Sequence, residues 1–364
     1  MSVQCSLFGT LPDGRTAEQW TLSGNGLSVS LINYGAAIQS LTYDGRDMVL
    51  GFDRIEDYLS ARCPYIGTIV GRYANRLSGG ELTLSGRSYP LDCNEGKEVQ
   101  LHGGKTGLHQ KLWTVVENDG AEPSVTMTAV CEDMEGGCPG RMEIRATYSL
   151  LPGATLRLEY EAVCDQDTVV NLTSHAFFNL GGQRGDIRGH CLEICASRYL
   201  PVDAALIPLG KGDLVEGTPF DFRPANPADC GRSHRIAPLA GEPIGAHLDP
   251  LHPQIGLAAG GIDHNFCIDG QGFRPAARVY APESGITMAC ATDQPGLQIY
   301  LGQGLCESAG KGGVPLAAYT GLCLETQHYP DSPCRPSYPS TLLQAGDTFR
   351  SATEYQFFTN DPEV

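Results

Sequence analysis

The sequence has no C-x-x-C pair despite its 14 cysteines, and zinc, iron–sulfur and thioredoxin-type sites are built on that spacing. Several cysteines sit in apolar runs, such as Cys290 in TMACAT and Cys323 in GLCLE. There a thiol behaves as a small apolar residue. The first residues, MSVQCSLFGTLPDG, carry no basic stretch followed by an apolar core, so no secretory signal is visible. Reduced thiols and a cytoplasmic location are the expectation. Positive charge is also scarce, with 25 Lys and Arg against 42 Asp and Glu and a formal net charge of -17. That balance disfavours nucleic acid and anionic membrane as partners. No apolar run approaches the roughly 20 residues of a membrane-spanning helix. The G-x-x-x-x-G-K-[ST] loop, a strand-linked G-x-G-x-x-G, the G-x-S-x-G elbow and H-E-x-x-H are all missing from the sequence, so neither a cofactor nor a metal is expected.

Glycine (45) and proline (24) are plentiful, and 41% of residues are hydrophobic against 18% charged. That composition fits a sizeable core built from short strands and tight turns. Leu27, Val29 and Leu31 alternate with Ser28, Ser30 and Ile32, the period of a strand. A short helix is expected over residues 54–60, capped by Asp53, and ELTLSGRSYPL reads as a hairpin turning at Ser-Gly. The polar loop before Trp113 carries His102 and His109, and residues 113–163 form a meander. Residues 235–261, rich in Pro, Gly, Ala and His, read as a long irregular excursion. A last strand covers EYQFFT. No amphipathic helix long enough for a parallel α/β sheet appears. The fold expected is all-β, one large antiparallel domain over residues 1–364.

Polar islands interrupt these strands. The stretch VVNLTSHAFFNLGG, residues 169–182, opens as a buried strand and then presents Asn171, Thr173, Ser174 and His175. A histidine at the end of an apolar strand is partly dried, which tunes a proton-transfer group. A lone histidine there is more often satisfied by a backbone carbonyl. Asn75 and Arg76 in GRYANR offer an amide and a planar fork, although a solvated edge charge is the commoner case. His102 in LHGG precedes two glycines that permit close approach of a ligand. Glu325, set in the apolar GLCLETQ, is the sharper signal. A carboxylate is seldom buried without a partner, and desolvation raises its pKa toward a general base. Asp263 in DHNF reads equally as a turn cap or a ligand contact. Histidines, carboxylates, an amide and an arginine suit a neutral polyhydroxylated ligand.

Taken together, GRYANRLSGGELTLSGRSYPL, LHGG, NLTSHAFFNL, YLPVDAALIPLG, GTPFDFR, DHNF, QPGLQIYLG and LETQHYPDS resemble the galactose mutarotase (aldose 1-epimerase) family over nearly the whole chain. The resemblance implies a β-supersandwich and cofactor-free interconversion of the α and β anomers of a free aldose. It implies Glu325 as the base on the anomeric hydroxyl and His175 as the acid on the ring oxygen. His102 is placed near the reacting oxygens, with Asn75, Arg76, Asp263 and Gln298 on the sugar hydroxyls. The implied partner is a small monosaccharide of galactose or glucose type, and the chain is a monomer or a homodimer. Ser174, Ala176, Phe177 and Ile262 depart from the family's usual asparagine, small hydroxyl residue, tyrosine and aromatic residue. Those departures bear on sugar preference more than on the reaction.

Three other readings compete. A silent sugar-binding module needs no acid–base pair. A glycoside hydrolase would place Glu325 and Asp263 across a glycosidic bond. A sugar-phosphate epimerase would want a cluster of basic residues, and only Arg76 stands near the motifs.

Overall fold

The computed structural model describes residues 2–117, 122–224 and 241–359. The alternating N-terminal segment forms a five-stranded antiparallel sheet in chain order, Ser2–Thr10, Thr16–Gly24, Leu27–Ile32, Ala37–Tyr43 and Arg46–Asp47. In Met142–Leu151 buried positions alternate with half-buried or exposed ones along its whole length, the mark of a sheet with one dry face. The meander Thr114–Glu117, Ser124–Cys131, Met142–Leu151 and Thr155–Cys164 pairs in succession. The final strand, Thr348–Thr359, extends it toward Ile286–Thr292, Arg274–Ala281 and Cys191–Ile194 in one eight-stranded sheet.

A six-stranded sheet carries Glu325, Gln298 and Asp263, in the order Phe177–Phe178, Leu322–Gln327, Gly296–Tyr300, Asp263–Ile268, Ala196–Tyr199 and Asp213–Leu214. Its two faces differ in kind. Phe266, Leu297, Ile299 and Leu324 join Tyr355 and Phe357 of the large sheet in one core. Burying each such side chain contributes about 1.5–3 kcal/mol. The opposite face carries Glu325, Gln298 and Asn265 directly across successive ladders, with Cys323, Tyr300 and Asp263 in the next row. Period-two alternation thus gives one sheet an oily back and a polar front.

Three motifs are knitted around that front. Thr173–Ser174 pairs with Ile69–Val70, and Gln100–Leu101 with Arg76–Leu77. Asn171 donates its amide to the Ala74 carbonyl at 3.1 Å and accepts the His328 N–H at 2.9 Å. It therefore acts as a staple among GRYANR, NLTSH and LETQH. Asp331 is fully buried and accepts the Ser78 N–H, the Ser78 hydroxyl and Arg335 Nε at 2.9–3.0 Å. Asp331→Ala would strand these donors without a partner and is expected to lower unfolding stability by about 3 kcal/mol. Urea denaturation checks this, and a loss under about 1 kcal/mol would refute the role.

Some expectations need correction. The helix runs Ile55–Ser60 with Arg54 at its N-cap and no side-chain cap bond. Asp53 instead accepts the Gly312 N–H at 2.7 Å. The hairpin at Ser85 and Gly86 stands as expected, with φ of 49° and 79°. Of the 235–261 excursion, residues 235–240 lie outside the described residues, and the remainder holds short helices at Ile244–His247 and Pro253–Leu257. Eleven described cysteines, Cys290 and Cys323 among them, are free thiols, but Cys195 is disulfide-bonded. Uniformly reduced cysteine is therefore not what the structure contains. Among the described residues no helix is long and apolar enough to cross a membrane.

Candidate active site

Glu325, His175, His102, Asn75, Arg76 and Asp263 line one cavity of about 350 Å³, within the range of small-molecule pockets. Gln298 lies behind its wall. The Gln298 amide donates to Asp263 Oδ1 at 2.6 Å, while its own Oε1 has no partner.

His175 is set by its backbone, whose N–H donates to Thr68 and whose carbonyl accepts from Gly67. Its Nε2 faces Glu325 Oε1 at 3.8 Å, and its Nδ1 lies 3.5 Å from Cys323 Sγ. Tyr65 stacks on it at 5.7 Å between ring centres, with Phe177 packed on another side at 5.0 Å. His102 occupies a left-handed position with φ of 53°. The turn works because Gly103 follows, where a Cβ would meet the Gly71 carbonyl oxygen at 2.0 Å. The Asn75 N–H donates to His102 Nδ1 at 3.1 Å, so the neutral ring carries its proton on Nε2.

Burial governs the electrostatics. It lifts the Glu325 carboxyl well above the usual carboxylate range; the charge of Asp263 adds to this and Arg76 opposes it. Burial pushes His175 down to about 4. It also carries His102 well below 6.5, helped by His175, Arg76 and His109. Burial therefore favours a neutral carboxyl and neutral imidazoles near neutral pH. Glu325 Oε2 is buried without a partner, a reserved hydrogen-bonding group of the kind a functional site keeps.

Arg76 is fixed by its own acids. Its guanidinium donates to Glu95 at 2.7 and 3.2 Å and stands 3.6 Å from Asp263. That pairing neutralises the fork and leaves it as a rigid hydrogen-bond donor. One nitrogen each of His102 and His175 and an oxygen of Glu325 lie within 4.8 Å of one another, the spacing of a metal site. The donor set does not fit one, because the pocket-facing nitrogen of His102 is the protonated one.

Sequence reasoning missed Tyr65, Tyr300 and Glu95, all of which line the cavity. Tyr65 stood in PYIG, close before GRYANR, and Glu95 in the polar stretch DCNEGK, which reads as solvated loop. Ser174, Ala176, Phe177 and Ile262 are buried and none of them lines the cavity. Phe177 reaches the site only by packing against His175 and Tyr300.

Known proteins resemble this chain over nearly its whole length. The aldose 1-epimerase family profile matches residues 18–356. Galactose mutarotase of Mus musculus is 39% identical over 98% of this chain and 99% of its own. Aldose 1-epimerase of Escherichia coli K12 is 33% identical over 95% and 96%. The crystal structure of galactose 1-epimerase from Lactobacillus acidophilus superposes with a TM-score of 0.84 at 26% identity, covering 99% of this chain and 100% of that one. An aldose epimerase homologue from C. elegans gives 0.81 at 28% identity over 95% and 100%. The chain belongs to the aldose 1-epimerase family and is an isomerase of aldose anomers.

Proposed function

We propose that the substrate is a free hexose of galactose or glucose type, with Glu325 as base and His175 as acid. The observation that carries this reading is the 3.8 Å between His175 Nε2 and Glu325 Oε1. The anomeric hydroxyl and the ring oxygen are bonded to one carbon, so two groups this close together can serve both. The separation is too long for a direct hydrogen bond, so Nε2 and Oε1 are each left to a substrate oxygen lying alongside the pair. Glu325 and His175 hold one exchangeable proton between them. Burial keeps that proton on Glu325 at rest, and the reacting form is the tautomer in which it has passed to His175 Nε2 and Glu325 is the carboxylate. Glu325 takes the anomeric proton, Nε2 delivers its own to the ring oxygen, and the ring opens to the aldehyde. The carbonyl end rotates, and closure on its other face returns both protons with the anomeric configuration inverted.

His102 Nε2–H and the neutralised Arg76 fork supply donors to the developing charge on the sugar oxygens. Asn75 and Asp263 are assigned to the sugar hydroxyls, and Gln298 holds Asp263 from behind. Asp263 is already engaged by Gln298 and Arg76, which argues against it as the second carboxylate of a hydrolase. The name of the mouse relative favours galactose. Purified protein is expected to speed the rotation decay of fresh α-D-galactose and α-D-glucose, and EDTA treatment should leave the rate unchanged. Loss of activity with EDTA would contradict the acid–base scheme.

A further inference from the structure

The ring nitrogens of His175 face one polar side chain each, Glu325 at Nε2 and Cys323 at Nδ1. Around the ring stand His102, Tyr65, Phe177 and Tyr300. Cys323 sits on the strand that carries Glu325, two residues earlier and on the same face, and it is fully buried. Its pairing with Phe177 across the adjacent ladder fixes its place beside His175. The catalytic strand thus supplies the base and, one row away, the atom that touches the far nitrogen of the acid.

We propose that Cys323 is a positioning residue whose sulfur accepts the His175 Nδ1–H, fixing the tautomer in which only Nε2 exchanges protons. This inference rests on the acid–base reading of His175. In that reading the ring cycles between the cation and a neutral form with Nε2 bare, and both forms carry Nδ1–H. A ring protonated on Nε2 alone would hold its lone pair on Nδ1, turned toward Cys323, and Nε2 could not take the proton back. Catalytic histidines commonly have Nδ1–H held by a carboxylate or carbonyl. Here the partner is a thiol. Burial raises its pKa well above 9.0, and the charges of Glu325, Cys63 and Asp263 add to this. The thiol therefore stays S–H, and its sulfur is a weak acceptor. A carboxylate at that place would stabilise the imidazolium, whereas a weak acceptor leaves its proton readily given up.

The test compares the parent with Cys323→Ala and Cys323→Ser by 15N NMR of labelled histidine, with His175 assigned from its loss in His175→Asn. The parent is expected to show the Nδ1–H tautomer. In Cys323→Ala the Nε2–H tautomer should gain population and kcat should fall about tenfold or more, with KM within about twofold. Cys323→Ser keeps an acceptor and should retain the parent's tautomer and most of its kcat. A parent ring in the Nε2–H tautomer would overturn the inference. So would a Cys323→Ala ring with the parent's tautomer and rate, even with a lowered Tm, since that pattern marks packing alone. The tautomer readout needs no turnover. A tautomer that responds as expected in a protein inactive on every aldose would uphold the Cys323 contact and refute the mutarotase reading instead.

Discussion

Glu325→Gln is expected to lower kcat on its aldose about 1,000-fold while leaving the fold intact. Removing a general base forfeits most of the roughly 100- to 10,000-fold that such catalysis supplies. The amide keeps the volume and polar contacts of the carboxyl but cannot accept the anomeric proton. The same change should stabilise the protein at neutral pH. Burial raises the Glu325 pKa well above its ordinary 4.5, so the folded state holds this proton more tightly than the unfolded chain does. Its contribution to stability is full below about pH 4.5 and is lost as pH rises through the folded value. Glutamine does not titrate. The Tm advantage of the variant should therefore be smallest below pH 4.5 and grow as pH rises. Calorimetry across pH measures it. A variant less stable than the parent at pH 8 would mean that the carboxylate is satisfied in the fold after all.

His175→Asn is expected to reduce kcat by a comparable factor, and the double variant Glu325→Gln/His175→Asn should be little worse than either alone. Acid and base act on adjacent oxygens of one carbon, so removing one leaves the other without a task. A multiplicative loss, near a millionfold, would show two independent contributions and would contradict the paired mechanism. The single-variant Tm values serve as controls. His175 is neutral in the fold, with a pKa pushed to about 4 from 6.5 by burial. The parent therefore loses stability as pH falls from about 6.5 toward 4. Asparagine removes that loss.

Much of the fold is legible in the sequence. Alternation in residues 27–32 and in the meander after Trp113 announced a β fold, because the strand period survives in the sequence. Glu325 was legible because a carboxylate in an apolar strand is expensive to bury, and it is buried, with one oxygen unpartnered. The rest needed three dimensions. Glu95 is in an ordinary polar loop, and only the closure of that loop over Arg76 makes it a neutralising partner. Tyr65 gains its part by stacking on His175, a contact across 110 residues that no local spacing encodes. Asp53 looked like a helix cap, but the loop at Gly312 took its carboxylate instead. The cysteines misled most. Their apolar settings predicted inert thiols, which accounts for Cys290, yet Cys195 is disulfide-bonded and Cys323 touches His175.

Polarimetry on α-D-galactose and α-D-glucose, with parent and Glu325→Gln side by side at matched concentration, tests the central claim most directly. The account predicts fast decay to the equilibrium rotation with the parent and a rate near the uncatalysed one with the variant. Equal rates for the two proteins on both sugars would contradict it.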